Sequence, residues 1–243
     1  RPVAEKLNNA VYRRGYAVCH TRMGDALLMM GRPDEALTHY RKERQVLEPL
    51  AIADPKDMVV QSTFTTSEGD VGHALVEAGQ IALGKATLLR AMAKTVAYAK
   101  ATGDSYSRAV LASTATLLGE ALEGDGDFAT AHRYYAQALE LYEAVASGDP
   151  DDAEDAVNVV IMHNHLGGVL LTMGKVAAAR HEYGKALARE DRISAASPDN
   201  VELLYAQADT YAGLGTTVAS LARHSTSTNE KSKRWVEARD WFA

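Results

Sequence analysis

Two histidines and two acidic runs are the candidates for metal binding or catalysis in this chain. "MHNHLGG" (162–168) carries His163 and His165. Imidazoles bind transition metals, but two on one helix share an ion when they lie four apart on one face. Two apart, they point roughly 200° from one another. No metal and no cofactor are expected; His163 is read as a core residue on the helix-packing face, and His165 as pointing to the open side or its edge. "GDPDDAED" (148–155) and "EGDGDF" (123–128) have the acid density of calcium loops. Such a loop needs alternating oxygen ligands, a central glycine and a late glutamate. Here the acids sit at helix starts, where the helix dipole favours them, so capping is expected. Serines are plentiful, but no nucleophile elbow appears, and each carboxylate is read as lying on a solvated face. No catalytic residue is expected. The chain is read as non-enzymatic, any catalysis lying in domains of a parent chain outside these residues.

The elements that would position these residues are helical. The chain has 243 residues, is 47% hydrophobic and carries a net charge of −6. That is enough apolar material for a sizeable core, and the charge argues against a nucleic-acid surface, which would need a basic stripe. The densest basic run, "RKER" (41–44), is diluted by Glu43 and reads as a solvated helix face. Cys19 is the single cysteine, which excludes a disulfide framework; its apolar context predicts a small buried core residue. No apolar run is long enough to cross a membrane, and no signal peptide is visible. A cytoplasmic protein is expected, with an exported or membrane-tethered parent left open. The chain starts at Arg1 without Met, as a piece of a larger protein would.

Glycine sets a period. Gly24, Gly72, Gly119, Gly167 and Gly213 are separated by 48, 47, 48 and 46 positions. Seven residues after the first four stand Gly31, Gly79, Gly126 and Gly174. A small series follows at Ala36, Gly84, Ala131 and Ala179, then a large one at Tyr40, Leu88, Tyr135 and Tyr183. Repeats at this spacing mean a solenoid or array. Around each Gly31-type residue the apolar positions recur at helical steps. The turn itself reads as helix stop followed by helix start: Pro33 with Asp34 and Glu35 in "GRPDEA", Gly126 then Asp127 in "EGDGDF". Each unit is therefore helix, tight turn, helix. The Gly24 series falls inside a helix, where glycine costs about 1 kcal/mol against alanine. Close approach of a bulky side chain from the partner helix would account for it.

These slots resemble the tetratricopeptide repeat. "MGDALLMMGRPDEALTHY" (23–40) and "LGGVLLTMGKVAAARHEY" (166–183) are similar to its pattern throughout, "LGEALEGDGDFATAHRYY" (118–135) closely, and "VGHALVEAGQIALGKATL" (71–88) except at Gly84 and Leu88. The usual repeat has about 34 residues; the excess of about 14 is near four helical turns, so longer helices are expected. The joints "ADPKD", "ATGDS", "SGDPDD" and "SPDN" are turn and cap signals. They divide a single domain, 1–243, into repeats at 3–53, 56–102, 104–148, 151–197 and 199–243. In the fifth, "RHSTSTNEKSKR" (223–234) reads as a surface loop, and "WVEARDWF" (235–242) puts Ala238 and Phe242 in the small and large slots before the chain stops within the helix. The joints and this last segment resemble the repeat regions that follow the kinase domain of some bacterial serine/threonine protein kinases. No kinase motif is present here.

The resemblance implies an all-α, right-handed superhelix of about five long antiparallel hairpins. It also implies a groove lined by the first helix of each hairpin. Arg22, Asp25, Met29, Asp70, His73, Glu77, Glu120, Glu123, Asn164 and His165 are the groove candidates it gives. Arg22 and Asn164 alone echo the residues with which such repeats grip a peptide carboxylate, so that clamp is not expected; the acids favour a neutral or basic protein segment. The expected role is a protein–protein interaction scaffold or sensor, in a bacterial signalling protein. The alternative is an oligomerisation or spacer module with no groove ligand, forming homo-oligomers through its terminal helices.

Overall fold

The computed structural model describes residues 10–149, 152–197 and 199–242. Pro150 and Asp151 of the acidic run, Pro198 of the last joint, and the repeat starts at 3 and 151 lie outside the described residues. These form ten helices and no strand: α1 (Ala10–Met29), α2 (Pro33–Ala53), α3 (Met58–Glu77), α4 (Ile81–Thr102), α5 (Ser105–Gly124), α6 (Phe128–Ala146), α7 (Ala153–Thr172), α8 (Val176–Ala196), α9 (Val201–Arg223) and α10 (Thr228–Trp241).

The joints, and the hairpin turn at Asp127, work as capping signals. Asp57, Asp104, Asp127, Asp152 and Asn200 each accept a backbone N–H from the first turn of the helix that follows, each cap contributing about 1 kcal/mol. The hairpin turns reverse at Gly31, Gly79, Gly126 and Gly174, with φ between 68° and 82°, a region that Cβ-bearing residues disfavour.

The chain separates into two compact units, one through Asp125 and one from Gly126 onward. In the first, α1 pairs with α2 and α3 with α4, α2 packs on α3, α4 on α5, and the hairpin-opening helices α1, α3 and α5 lie side by side. Its core joins Ala36, Leu37 and Tyr40 of α2 to Val71, Ala74 and Leu75 of α3, with Leu27 and Leu28 of α1 against them. In the second, α6 packs on α7, α7 pairs with α8, and α9 packs on α7, α8 and α10. Its cores gather Val157, Val160, Ala186, Ile193, Leu203 and Ala206, and Leu170, Ala179, Tyr183 and Leu214.

The in-helix glycines sit where large side chains cross. A Cβ on Gly24 would lie 2.4 Å from the Tyr40 ring, and one on Gly72 2.7 Å from Leu88. Tyr183 serves two glycines, Gly167 at 2.8 Å and Gly213 at 2.2 Å.

Four expectations are corrected. Cys19 is exposed, because α1 turns Ala17, His20 and Gly24 inward and leaves it one step out of register. The segment 223–234 is not all loop: Ser227 caps α10 by accepting from Glu230 N at 3.4 Å, and Glu230 holds Arg234 one turn on. Phe242 does not repeat Tyr183's role; it is exposed and lies against Gly215, while Tyr183 fills the space at Gly213. Not every carboxylate is solvated: Glu43, Glu68 and Glu190 are buried. Glu68 is paired with Arg44, Arg90 and Lys94.

Candidate functional site

Eight of the ten candidate residues fall in the first unit. Asn164 and His165 fall in the second. In the first unit, Asp25 on α1, Asp70, His73 and Glu77 on α3, and Glu120 and Glu123 on α5 form a connected electrostatic series. Asp70 is raised well above the usual carboxylate range by burial and then by the charges of Glu43 and Asp25. Burial lowers the His73 imidazole, while Glu77 and Asp25 pull it up; His73 Nε2 lies 3.8 Å from Glu77. Burial pushes the Glu120 carboxyl up to about 7, with Glu77 and Glu123 adding to the rise. The neighbouring carboxylates that add to the rise of Asp70 and Glu120 leave a face that favours cations. Arg22 stands at its rim, 82% exposed and 3.7 Å from Asp25. Met29 is at the end of α1, 90% exposed.

The series has a member that sequence reasoning placed on a solvated face. Glu43 of α2 is fully buried, and neither carboxylate oxygen has a hydrogen-bond partner. The Thr21 hydroxyl beside it is given to the Ala17 carbonyl at 3.3 Å. Burial pushes the Glu43 carboxyl up to about 7; Thr21 pulls it down and Asp25 pushes it further up. Tyr40, one turn earlier, donates its hydroxyl to Asp25 at 2.9 Å. That hydroxyl is raised by burial, by this bond, and by the charges of Asp25, Asp70 and Glu43. Asp25, Tyr40, Glu43 and Asp70 are thus one cluster contributed by three helices. The signal was readable: three residues after Tyr40 comes Glu43, whereas three after Leu88, Tyr135 and Tyr183 come Ala91, Ala138 and Ala186.

In the second unit Asn164 is turned inward. Its amide donates to Ala206 O at 2.9 Å and its carbonyl accepts from Thr210 at 2.9 Å. Thr210 also meets Glu190, a carboxyl raised by burial. His165 is half-buried and stacked on Tyr135, centroids 4.6 Å apart and planes within 14°; burial takes its pKa down to about 4, so it is neutral at neutral pH. His163 is buried and bonded to Glu182 at 2.8 Å. A cleft of about 560 Å³ opens among α6, α7 and α8, with Glu143 and Arg189 paired to each other at 3.0 Å on its wall. Among the described residues, no three His, Cys, Asp or Glu side chains are placed to hold a metal ion, and no helix is long and apolar enough to cross a membrane.

Residues 111–154 match the tetratricopeptide repeat family model. No curated protein sequence matches the chain. Among solved structures, the chain is similar to BtubC (BKLC) from P. vanneervenii, with a TM-score of 0.68 and 16% identity, covering 96% of this chain and 82% of that one. A Podosopora anserina chain of kinesin-light-chain type with nearly identical TPR-like repeats gives 0.59 and 14%, covering 92% and 93%. Aspartyl phosphate phosphatase F from Bacillus subtilis gives 0.57 and 11%, covering 94% and 60%. The fold is an all-α, TPR-like solenoid fold of long antiparallel hairpins. Such folds generally mediate protein–protein interaction; identities this low carry the fold and not the partner.

Proposed function

We propose that the chain is a non-catalytic protein-interaction module whose first unit binds a basic protein or peptide segment along the face of α1, α3 and α5. The observation that supports this reading most is the run of acids on that face, in which Asp70 and Glu120 are raised by burial and then by neighbouring carboxylates. A cationic segment would relieve this repulsion and gain contacts from successive helices, as repeat surfaces allow. The regulatory repeat region of a bacterial serine/threonine kinase, working in the cytoplasm, is the setting proposed for it. The kinase-region resemblance rests on Trp235, Glu237, Ala238, Arg239 and Trp241 of α10 together with the Asp-containing joints. An array of capped peptides graded from acidic to basic tests the binding. Basic peptides should bind, more weakly as salt rises, and Glu120→Lys with Glu123→Lys should abolish the preference. Equal binding of acidic and basic peptides would refute it.

A second reading is favoured by the apolar side chains that the last hairpin leaves exposed, Tyr205, Trp235, Val236 and Phe242. In this reading the module self-associates through α9 and α10. Light scattering over a concentration series separates the two, since mass that rises with concentration and falls on Trp235→Ser with Phe242→Ser supports self-association.

A further inference from the structure

We propose that α1 carries a docking seam for a second copy of this chain, the two α1 helices packing antiparallel across a two-fold axis. Tyr12, Tyr16, Cys19, Met23 and Ala26 of α1, with Met30 one residue past its end, follow one another at steps of four and three. That is the spacing of a coiled-coil seam. None of the six is charged, and all are exposed, Met23 at 53% and Met30 at 65%. A contiguous apolar stripe of this length on a surface marks an interaction site. Asp25 of the acidic face lies roughly 140° round the helix from it, so the seam and the peptide face are separate surfaces of one helix. The repeat identifies the kind of element that fits. Counted from the in-helix glycines, the slot of Cys19 holds Ser67, Thr114 and Met162 in the next three hairpins, and the slot of Met23 holds Val71, Leu118 and Leu166. All six of these are buried. Their cover is a helix each time, since α2 packs on α3, α4 on α5 and α6 on α7; Val71 shares one core with Ala36, Leu37 and Tyr40 of α2. Among the described residues no helix precedes α1, and the same slots on it are open.

Side-chain size along the seam selects α1 of a second copy as the occupant. With the two-fold axis at Thr21, Tyr16 faces Ala26 of the other copy, Cys19 faces Met23, and Tyr12 faces Met30. Large side chains thus meet smaller ones, and knobs find holes. A parallel pair would set Tyr16 on Tyr16 and Ala26 on Ala26, crowding one level and leaving a gap at another. The antiparallel pair is isologous and closes at a dimer. The second helices of a copy are less suited. α2, α4, α6 and α8 each already pack on the helix that follows, and α10 carries Arg239, 72% exposed, a charge with no counterpart on the seam. Arg22 flanks the seam and comes beside Arg22 of the other copy, each held by its own Asp25 at 3.7 Å. This like charge, and the net charge of −6 on each copy, oppose association at low salt, so the dimer tightens as salt rises. Basic-peptide binding on the acidic face has the opposite salt dependence. Six seam residues a copy fall well short of the roughly 20–30 per side of a standard interface, so the dimer is weak and forms at high concentration.

Sedimentation equilibrium of the intact chain, over a wide concentration range and at low and high salt, provides the test. A monomer–dimer equilibrium that tightens with salt is expected. Met23→Glu and Ala26→Glu, both at exposed positions, should each weaken it by about tenfold or more, while circular dichroism and the unfolding midpoint stay those of the parent chain. Trp235→Ser with Phe242→Ser should leave it unchanged, which separates this seam from association through α9 and α10. Cross-linking reads the orientation and does not depend on the glutamate variants. Met23→Cys puts a thiol opposite Cys19 of the other copy, so oxidation should give a covalent dimer on a non-reducing gel. The parent chain should not cross-link. Its two Cys19 residues are offset by about 6 Å along helices about 8–10 Å apart, too far for a disulfide. Met23→Cys combined with Cys19→Ser has the same offset and should not cross-link either. A chain that stays monomeric at every concentration refutes the second copy as occupant. A dimer that keeps its strength in folded Met23→Glu and Ala26→Glu variants refutes the seam. A parent chain that cross-links through Cys19 as readily as Met23→Cys does refutes the antiparallel arrangement.

Discussion

The ring of Tyr40 lies over Gly24 so closely that a Cβ there would be 2.4 Å from Cε1, and the same side chain reaches on to donate to Asp25 at 2.9 Å. One residue thus closes the first hairpin and holds an acid of the candidate site. Gly24→Ala gains about 1 kcal/mol of helix propensity but must displace an aromatic ring in a packed core, which costs about 1–3 kcal/mol. Net destabilisation is expected. Gly15→Ala, on the same helix with nothing within 4 Å, should stabilise by up to about 1 kcal/mol. Urea unfolding of the two variants checks the contrast, and equal effects would show that the ring does not need the gap.

Glu43 makes stability depend on pH in the direction opposite to that of an ion-paired carboxylate. Its folded pKa is about 7 against an ordinary 4.5. Between those values the folded chain holds a proton that the unfolded chain has released, so its contribution to stability falls as pH rises through that window. Asp70 and Glu120 act in the same sense. Glu43→Ala should therefore stabilise the chain more at about pH 8 than at about pH 5. Denaturation midpoints at the two pH values give the answer; an advantage that does not change with pH would mean that Glu43 is not protonated in the fold.

The Asn164–Thr210–Glu190 cluster stabilises the second unit through one hydroxyl. Thr210 lies within bonding distance of Ala206 O, Asn164 Oδ1 and a Glu190 oxygen. A hydroxyl has a single proton to give, so Glu190, raised by burial, donates back when protonated. Thr210→Val keeps the shape and strands two buried polar side chains, at a cost of about 1–3 kcal/mol. Calorimetric unfolding should show this loss, and a neutral substitution would place water in the cluster.

Ser227 is the start signal of α10. Removing it in Ser227→Ala should cost about 1 kcal/mol locally. Amide exchange of residues 228–234 should quicken while α9 stays protected; unchanged exchange would assign the start of α10 to the Glu230–Arg234 pair instead.

The hairpins were legible because their causes are local. A glycine that can adopt positive φ, an acid one residue before a helix, and small and large residues at fixed spacing act within a few positions of the chain. His163 was readable as a core residue for the same reason. The tract 223–234 misled because its composition is that of a loop, whereas Ser227, Glu230 and Arg234 at helical spacing form a cap and an ion pair.

The all-α hairpin repeat and the acids along α1, α3 and α5 are written in the chain order, since periodicity and capping are local properties. Which of those acids meet depends on how the helices pack. That packing turned Asn164 inward to Ala206 and Thr210, and stacked His165 on Tyr135. It also took Glu43 out of a charged run and buried it beside Asp25 and Asp70. Burial and charge proximity are set by side chains arriving from different helices, 45 positions apart for Asp25 and Asp70 and 46 for Asn164 and Thr210, and no local pattern encodes that meeting.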